Sequence, residues 1–172
     1  FIDGEFIPGP LIRGIIVTLQ LAGVSSVLAI LIGAFTAIGR MSNSIAGRLI
    51  ATTYLEIIRN TPLLVQLFMF YFVLAPIFEI ERFWAGVLCL AAFEGSFAAE
   101  IIRGGIQAVE RGQYEAADAT GLSKFDKYRY VIVPQALPLI LPPLTGLLIS
   151  LIKHSAIVSV IAVAELTTEG LN

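Results

Sequence analysis

Residues 112–134 read GQYEAADATGLSKFDKYRYVIVP and form the longest polar segment of an otherwise oily chain. Glu115, Asp118, Lys124, Asp126, Lys127 and Arg129 lie in it, with apolar runs on both sides. The spacing predicts a short helix over Gln113–Thr120. Gly121 stands where a left-handed C-terminal cap is wanted. Ser123 to Asp126 fits the Ser-x-x-Asp form of a capping box and predicts the start of a second helix. Ala116, Ala117 and Ala119 keep the first helix slim enough to enter a groove on another protein. From these residues alone, a docking surface for a soluble partner and an ordinary solvated loop with a surface helix both stand.

What lies around that segment decides the fold class. Of the 172 residues, 57% are hydrophobic and only 14% are charged, against roughly 25% charged in soluble domains. Several apolar runs approach the ~20 residues that cross a bilayer, so lipid is the main solvent. There is no basic stripe for nucleic acid, and the single Cys89 excludes an internal disulfide. The chain starts at Phe1 and stops at Asn172, and reads as an internal piece of a longer protein.

In chain order, Phe1–Pro10 reads as a loop and Leu11–Ile38 as a first crossing. Ala29, Gly33 and Ala37 recur every fourth residue, the pattern that lets helices approach closely in lipid. Gly39–Gly47 is a turn. Ile45–Arg59 is amphipathic, with Arg48, Thr52, Glu56 and Arg59 on one stripe and Glu56 placed to pair with Arg59. Asn60-Thr61-Pro62 predicts a kink or break. Leu63–Phe78 is a second crossing, which with the preceding piece makes one long bent helix. Glu79–Arg82 is a short loop, and Trp84 suits an interfacial anchor. Phe83–Ile106 is a third crossing and Val131–Ile152 a fourth, with prolines tolerated in it. Lys153, His154 and Ser155 interrupt the pattern, and Ala156–Ala164 reads as a short helix or re-entrant piece before a polar end. The fold class is all-α, a single polytopic transmembrane bundle over 1–172 with about four crossings.

Orientation follows the Lys and Arg count. Arg40, Arg48, Arg103, Arg111, Lys124, Lys127 and Arg129 mark one side, against Arg13 and Arg82 on the other. Segment 110–130 is therefore expected in the cytoplasm and Phe1 outside.

Four ordered motifs carry a resemblance. Glu115-Ala116-Ala117, then Gly121 after three residues, then Val131, Val133 and Pro134, resembles the EAA loop of ABC importer permeases. Arg59-Asn60-Thr61-Pro62-Leu63-Leu64, the run from Glu94 through Ala98-Ala99-Glu100-Ile101-Ile102-Arg103-Gly104-Gly105, and Pro142-Pro143 followed by Lys153 are similar to the polar amino-acid branch of that family. The resemblance covers about Leu11 to Glu165. It departs after Lys153, where the family's Asp-Thr-Ser-Leu is replaced by His154-Ser155-Ala156-Ile157.

The resemblance implies a permease subunit in the bacterial inner membrane. It would pair with a second permease, identical or related, bind ATPase subunits, and receive polar amino acids from an extracytoplasmic solute-binding protein. A fifth crossing is expected beyond the C-terminus. Glu115, Ala116, Ala117 and Gly121 would form the ATPase-coupling element. The chain carries no G-x-x-x-x-G-K-[ST] phosphate loop, so it is not expected to be an enzyme by itself, nor to bind a cofactor or metal; ATP and Mg belong to the partner. An ion-gradient transporter or channel is the alternative class, and it would be expected to show inverted repeats.

The intramembrane charges carry the remaining expectations. A charge at a helix centre costs about 2.5–3.5 kcal/mol on insertion scales and suggests function. Glu94, Glu100, Arg103 and Lys153 are the candidate substrate-pathway residues. Glu94 either lines the pathway or bonds a neighbouring helix. Glu100 and Arg103 are spaced to pair. Lys153 is placed to reach Glu94 or Glu165. His154 reads as an interfacial side chain near the outer face.

Overall fold

The computed structural model describes the backbone of residues 10–169 and the side chains of residues 15–158. The opening loop expected before Pro10, the side chain of Arg13, and Glu165 with the polar end lie outside the described side chains. All regular structure among the described residues is helical: α1 (Pro10–Met41), α2 (Ile45–Arg59), α3 (Leu63–Phe78), α4 (Arg82–Gln107), α5 (Arg111–Ala119) and α6, which begins at Lys124 and runs to Glu169. Three of these, α1, α4 and α6, are long and apolar enough to cross a membrane, and the α2–α3 pair qualifies jointly.

The contacts fix the directions. Ser25 Oγ donates to the Val87 carbonyl, Gly33 lies against Ala98 and Ala99, and Arg40 meets Glu100. Both residue numbers rise together, so α1 and α4 run parallel. Across α4 and α6, Gly105 faces Ile140, Glu94 meets His154 and Gly86 faces Val158, so those two are antiparallel. Parallel neighbours need a return between them, and α2–α3 supplies it. The bundle therefore has four passes, the number the sequence suggests.

Close packing of α1 on α4 follows from the small residues. Ala29 and Ala37 are fully buried, and a Cβ on Gly33 would lie 2.6 Å from the Ala98 Cβ and 3.0 Å from the Ala99 backbone nitrogen. One core cluster, Leu21, Leu63, Leu67, Val87, Cys89, Leu90 and Val158, fills one end of the bundle. A second, Ile106, Val109, Ile132, Ala136 and Ile140, fills the other, where Met41, Tyr114 and Tyr128 pack on it.

The break at Asn60-Thr61-Pro62 is real: α2 and α3 are bent by 104°. Gln66 staples it, its Nε2 donating to the carbonyls of Ile58 and Thr61. Two π-helical turns, Met69–Leu74 and Lys127–Ile132, each end two residues before a proline, Pro76 and Pro134. Proline lacks the N–H and its ring crowds the carbonyl four residues back. The wide turn absorbs this by bonding five residues back, Ala75 N–H to Phe70 and Val133 N–H to Tyr128.

Two boundaries differ from expectation. The fourth crossing starts seven residues before Val131, because the helix capped by Ser123 continues through the π turn into it. Lys153-His154-Ser155 does not interrupt α6, and Ala156–Ala164 is not a separate piece. Polar side chains do not break a helix whose backbone bonds are internally satisfied, and His154 and Ser155 find partners for theirs.

Candidate functional site: the braced polar helix and the charged crossing

The polar segment forms the structure its caps specify. Gly121 has φ of +75°, its N–H bonds the Asp118 carbonyl, and the Leu122 N–H bonds that of Ala117. This pair of bonds is a Schellman cap, and the left-handed φ is why glycine stands there. Ser123 Oγ accepts from the Asp126 N–H at 3.2 Å and donates to the Asp126 carboxylate at 2.6 Å, which starts α6.

α5 is braced on the membrane helices rather than hung from a loop. Tyr114 Oη donates to the Ile106 carbonyl at 2.8 Å, and its ring meets Tyr128 edge-on. Burial, then the neighbouring Tyr128, push the Tyr114 hydroxyl up from its ordinary value of 10, so it remains a donor at neutral pH. Lys127 Nζ pairs with Asp118 at 2.6 Å, and Gln135 donates to Gln113 at 3.0 Å. Ala117 is buried against the body, while Glu115, Ala116 and Ala119 face out. Glu115 accepts from Arg111 Nε at 2.9 Å, an exposed pair of the kind that contributes little.

Within the crossings, Glu94 is 2% exposed and its Oε1 lies 2.5 Å from His154 Nδ1. The partner expected for Glu94, Lys153, is instead exposed on α6. Adjacent helical residues point about 100° apart at 3.6 residues per turn, so only one of the two can face α4. His154, expected at the interface, is partly buried and edge-on to Phe93. Glu100 and Arg103 pair as expected, at 2.6 Å, and Arg40 adds a second bond to Glu100 at 2.6 Å. The Glu56–Arg59 pair does not form: Glu56 accepts from the Asn60 amide, and Arg59 stacks over Phe97 with its centre 5.4 Å from the ring. Among the described residues, no group of three or more His, Cys, Asp or Glu is placed to hold a metal.

The sequence missed three of these links: His154 to Glu94, Arg40 to Glu100, and Arg59 over Phe97. All join residues far apart in the chain. The only sequence signal is the need of an intramembrane charge for a partner, which does not say which one.

Four apolar passes, with a polar helix locked onto one end, define a polytopic membrane-spanning helix bundle. Residues 29–172 match the family model described as binding-protein-dependent transport system inner membrane component. A Rickettsia typhi protein named for a glutamine transport system permease, GlnP, is 40% identical over 91% of this chain and 72% of its own. Arginine transport system permease protein ArtQ of Bacillus subtilis is 35% identical over 90% and 72%. A chain of a solved structure described as an amino acid ABC transporter with histidines superposes with a TM-score of 0.78. It is 46% identical, covering 86% of this chain and 69% of that one.

The chain belongs to the family of inner-membrane components of binding-protein-dependent transport systems, and within it to the ABC-type amino-acid permeases. It is thus a multi-pass inner-membrane permease component and not itself the catalyst. ATP is hydrolysed on separate subunits, and family membership implies association with those ATPases and with a solute-binding protein.

Proposed function

We propose that this chain is the translocating subunit of an importer for polar amino acids, and that α5 with the Gly121 turn couples it to an ATPase. The single observation that carries the reading is the bracing of α5. Tyr114, Asp118 and Gln113 tie it to α4 and α6, so a force applied to α5 moves two crossings as a rigid body. In this reading segment 110–130 is cytoplasmic and the N-terminal side is outside, supported by the Lys and Arg count. Two permeases pair around the pathway, surrounded by lipid. Ala117 and Gly121 set the position of α5, while Glu115 and Ala116 face the ATPase cleft. A polar amino acid as cargo is supported by the names of the glutamine, arginine and histidine-containing relatives.

The proposed pathway is bordered by Glu94, Glu100, Arg103 and Lys153. Glu94, Glu100 and Arg103 are engaged with protein neighbours. Lys153 is exposed and meets the carboxylate of the solute. The test is to purify the complex carrying Glu115→Lys or Gly121→Val and assay both ATPase retention and uptake. Loss of both is expected. Retention of both at wild-type levels rejects the docking role.

A further inference from the structure

A cavity of about 340 Å³ opens where the C-terminal ends of α1 and α2 meet α4, lined by Arg40, Leu55, Glu56, Arg59, Asn60 and Phe97. Its charge is unbalanced. Arg40, Arg59 and the adjoining Arg103 face two carboxylates, and Glu100 is already shared between Arg40 and Arg103. Glu56 is turned to the Asn60 amide. Arg59 makes no contact ion pair among the described residues, though its charge reaches Glu100, and it lies against the face of Phe97, 5.4 Å away. A guanidinium over an aromatic ring keeps its edge donors free for a planar or tetrahedral oxyanion.

The helix that carries Arg59 indicates where that oxyanion comes from. The 104° bend lays α2 across the direction of α3 rather than along it. On α2, Leu49, Ile50 and Ile57 are exposed on one side of the helix, beside the stripe of Arg48, Thr52, Glu56 and Arg59. A helix lying across a bundle with an exposed apolar stripe next to a basic one is the arrangement of an interfacial element, acyl chains on one face and headgroups at the other.

We propose that this cavity is a binding site for the phosphate of an anionic phospholipid headgroup, held by Arg59 and Arg40, with the acyl chains along the apolar stripe of α2. The site is independent of which solute is carried. Anionic lipids attract basic groups at a membrane surface generally; here the cavity and the Arg59 guanidinium stacked on Phe97 make the attraction local.

The test uses the full-length permease with its ATPase and binding protein in phosphatidylcholine nanodiscs doped with phosphatidylglycerol. Lipid retained after extraction is read by native mass spectrometry. Arg59→Gln is the variant, since Arg59 holds no ion pair whose loss would unfold the bundle. Arg59→Lys restores charge without the fork, and thermal unfolding controls for folding. Losing one charged hydrogen-bonding group should cut phosphatidylglycerol retention by about tenfold or more, with Arg59→Lys intermediate and phosphatidylcholine unaffected. Equal retention by wild type and Arg59→Gln overturns the proposal. So does displacement of the lipid by inorganic phosphate or acetate at equal effect in both proteins, or protection of Arg59 by a second permease copy in its place.

Discussion

Replacing Gly33 by alanine tests the packing that makes the bundle a single body. An added Cβ would sit 2.6 Å from the Ala98 Cβ, 3.0 Å from the Ala99 nitrogen and 3.1 Å from the Ala98 carbonyl carbon. Carbon atoms in contact rest at about 3.5–4.0 Å, so α1 and α4 must separate by about 1 Å. Two of the three obstacles are backbone, and no rotamer change relieves them. Overpacking of this kind costs about 1–3 kcal/mol, spread along the interface in which Ala29 and Ala37 are also fully buried. Gly104→Ala is the internal control: it lies in α4, and an added methyl there would meet nothing within 4 Å. That change should be neutral or stabilise by up to about 1 kcal/mol through helix propensity. The assay is reversible unfolding of the full-length permease in mixed micelles. Adding Ala98→Gly to Gly33→Ala should recover only part of the loss, since the backbone contacts persist. Equal stability of Gly33→Ala and Gly104→Ala would refute the close approach of α1 and α4.

Three further outcomes follow from named contacts. Tyr114→Phe removes one hydrogen bond, worth about 1 kcal/mol, and loosens the brace. The ATPase should stay bound while solute moved per ATP falls, measured as an uptake-to-hydrolysis ratio. His154→Ala strips the buried Glu94 of its imidazole partner and should destabilise by about 1–3 kcal/mol. Glu94→Gln leaves a neutral amide able to bond the imidazole and should cost much less, both read by thermal unfolding. Ser123→Ala removes the cap of α6, costs about 1 kcal/mol, and should speed amide exchange at Lys124–Lys127.

What the sequence made legible was local or periodic. The spacing of Ala29, Gly33 and Ala37 announced the tight face, Pro62 the break, and Gly121 with Ser123 the two caps, because each acts through its own backbone or its own helix. The Glu100–Arg103 pair was readable for the same reason. The continuity of α6 was not, because Lys153-His154-Ser155 looks like a polar interruption until His154 is seen to meet Glu94, sixty residues away. Nor was the fate of Arg59: helical spacing offered Glu56, but Asn60 takes that carboxylate and Phe97 comes from another helix. The π turns have a readable cause in Pro76 and Pro134. The other three prolines inside α6, Pro138, Pro142 and Pro143, lie in regular helix, so proline alone would not have located the π turns.

The direct test of the central claim is solute-stimulated ATP hydrolysis by the full-length complex in proteoliposomes, with the binding protein present. Polar amino acids should stimulate hydrolysis in step with their uptake, and Glu115→Lys should abolish both together. Uptake that continues without ATP and collapses with an ion gradient would contradict the account.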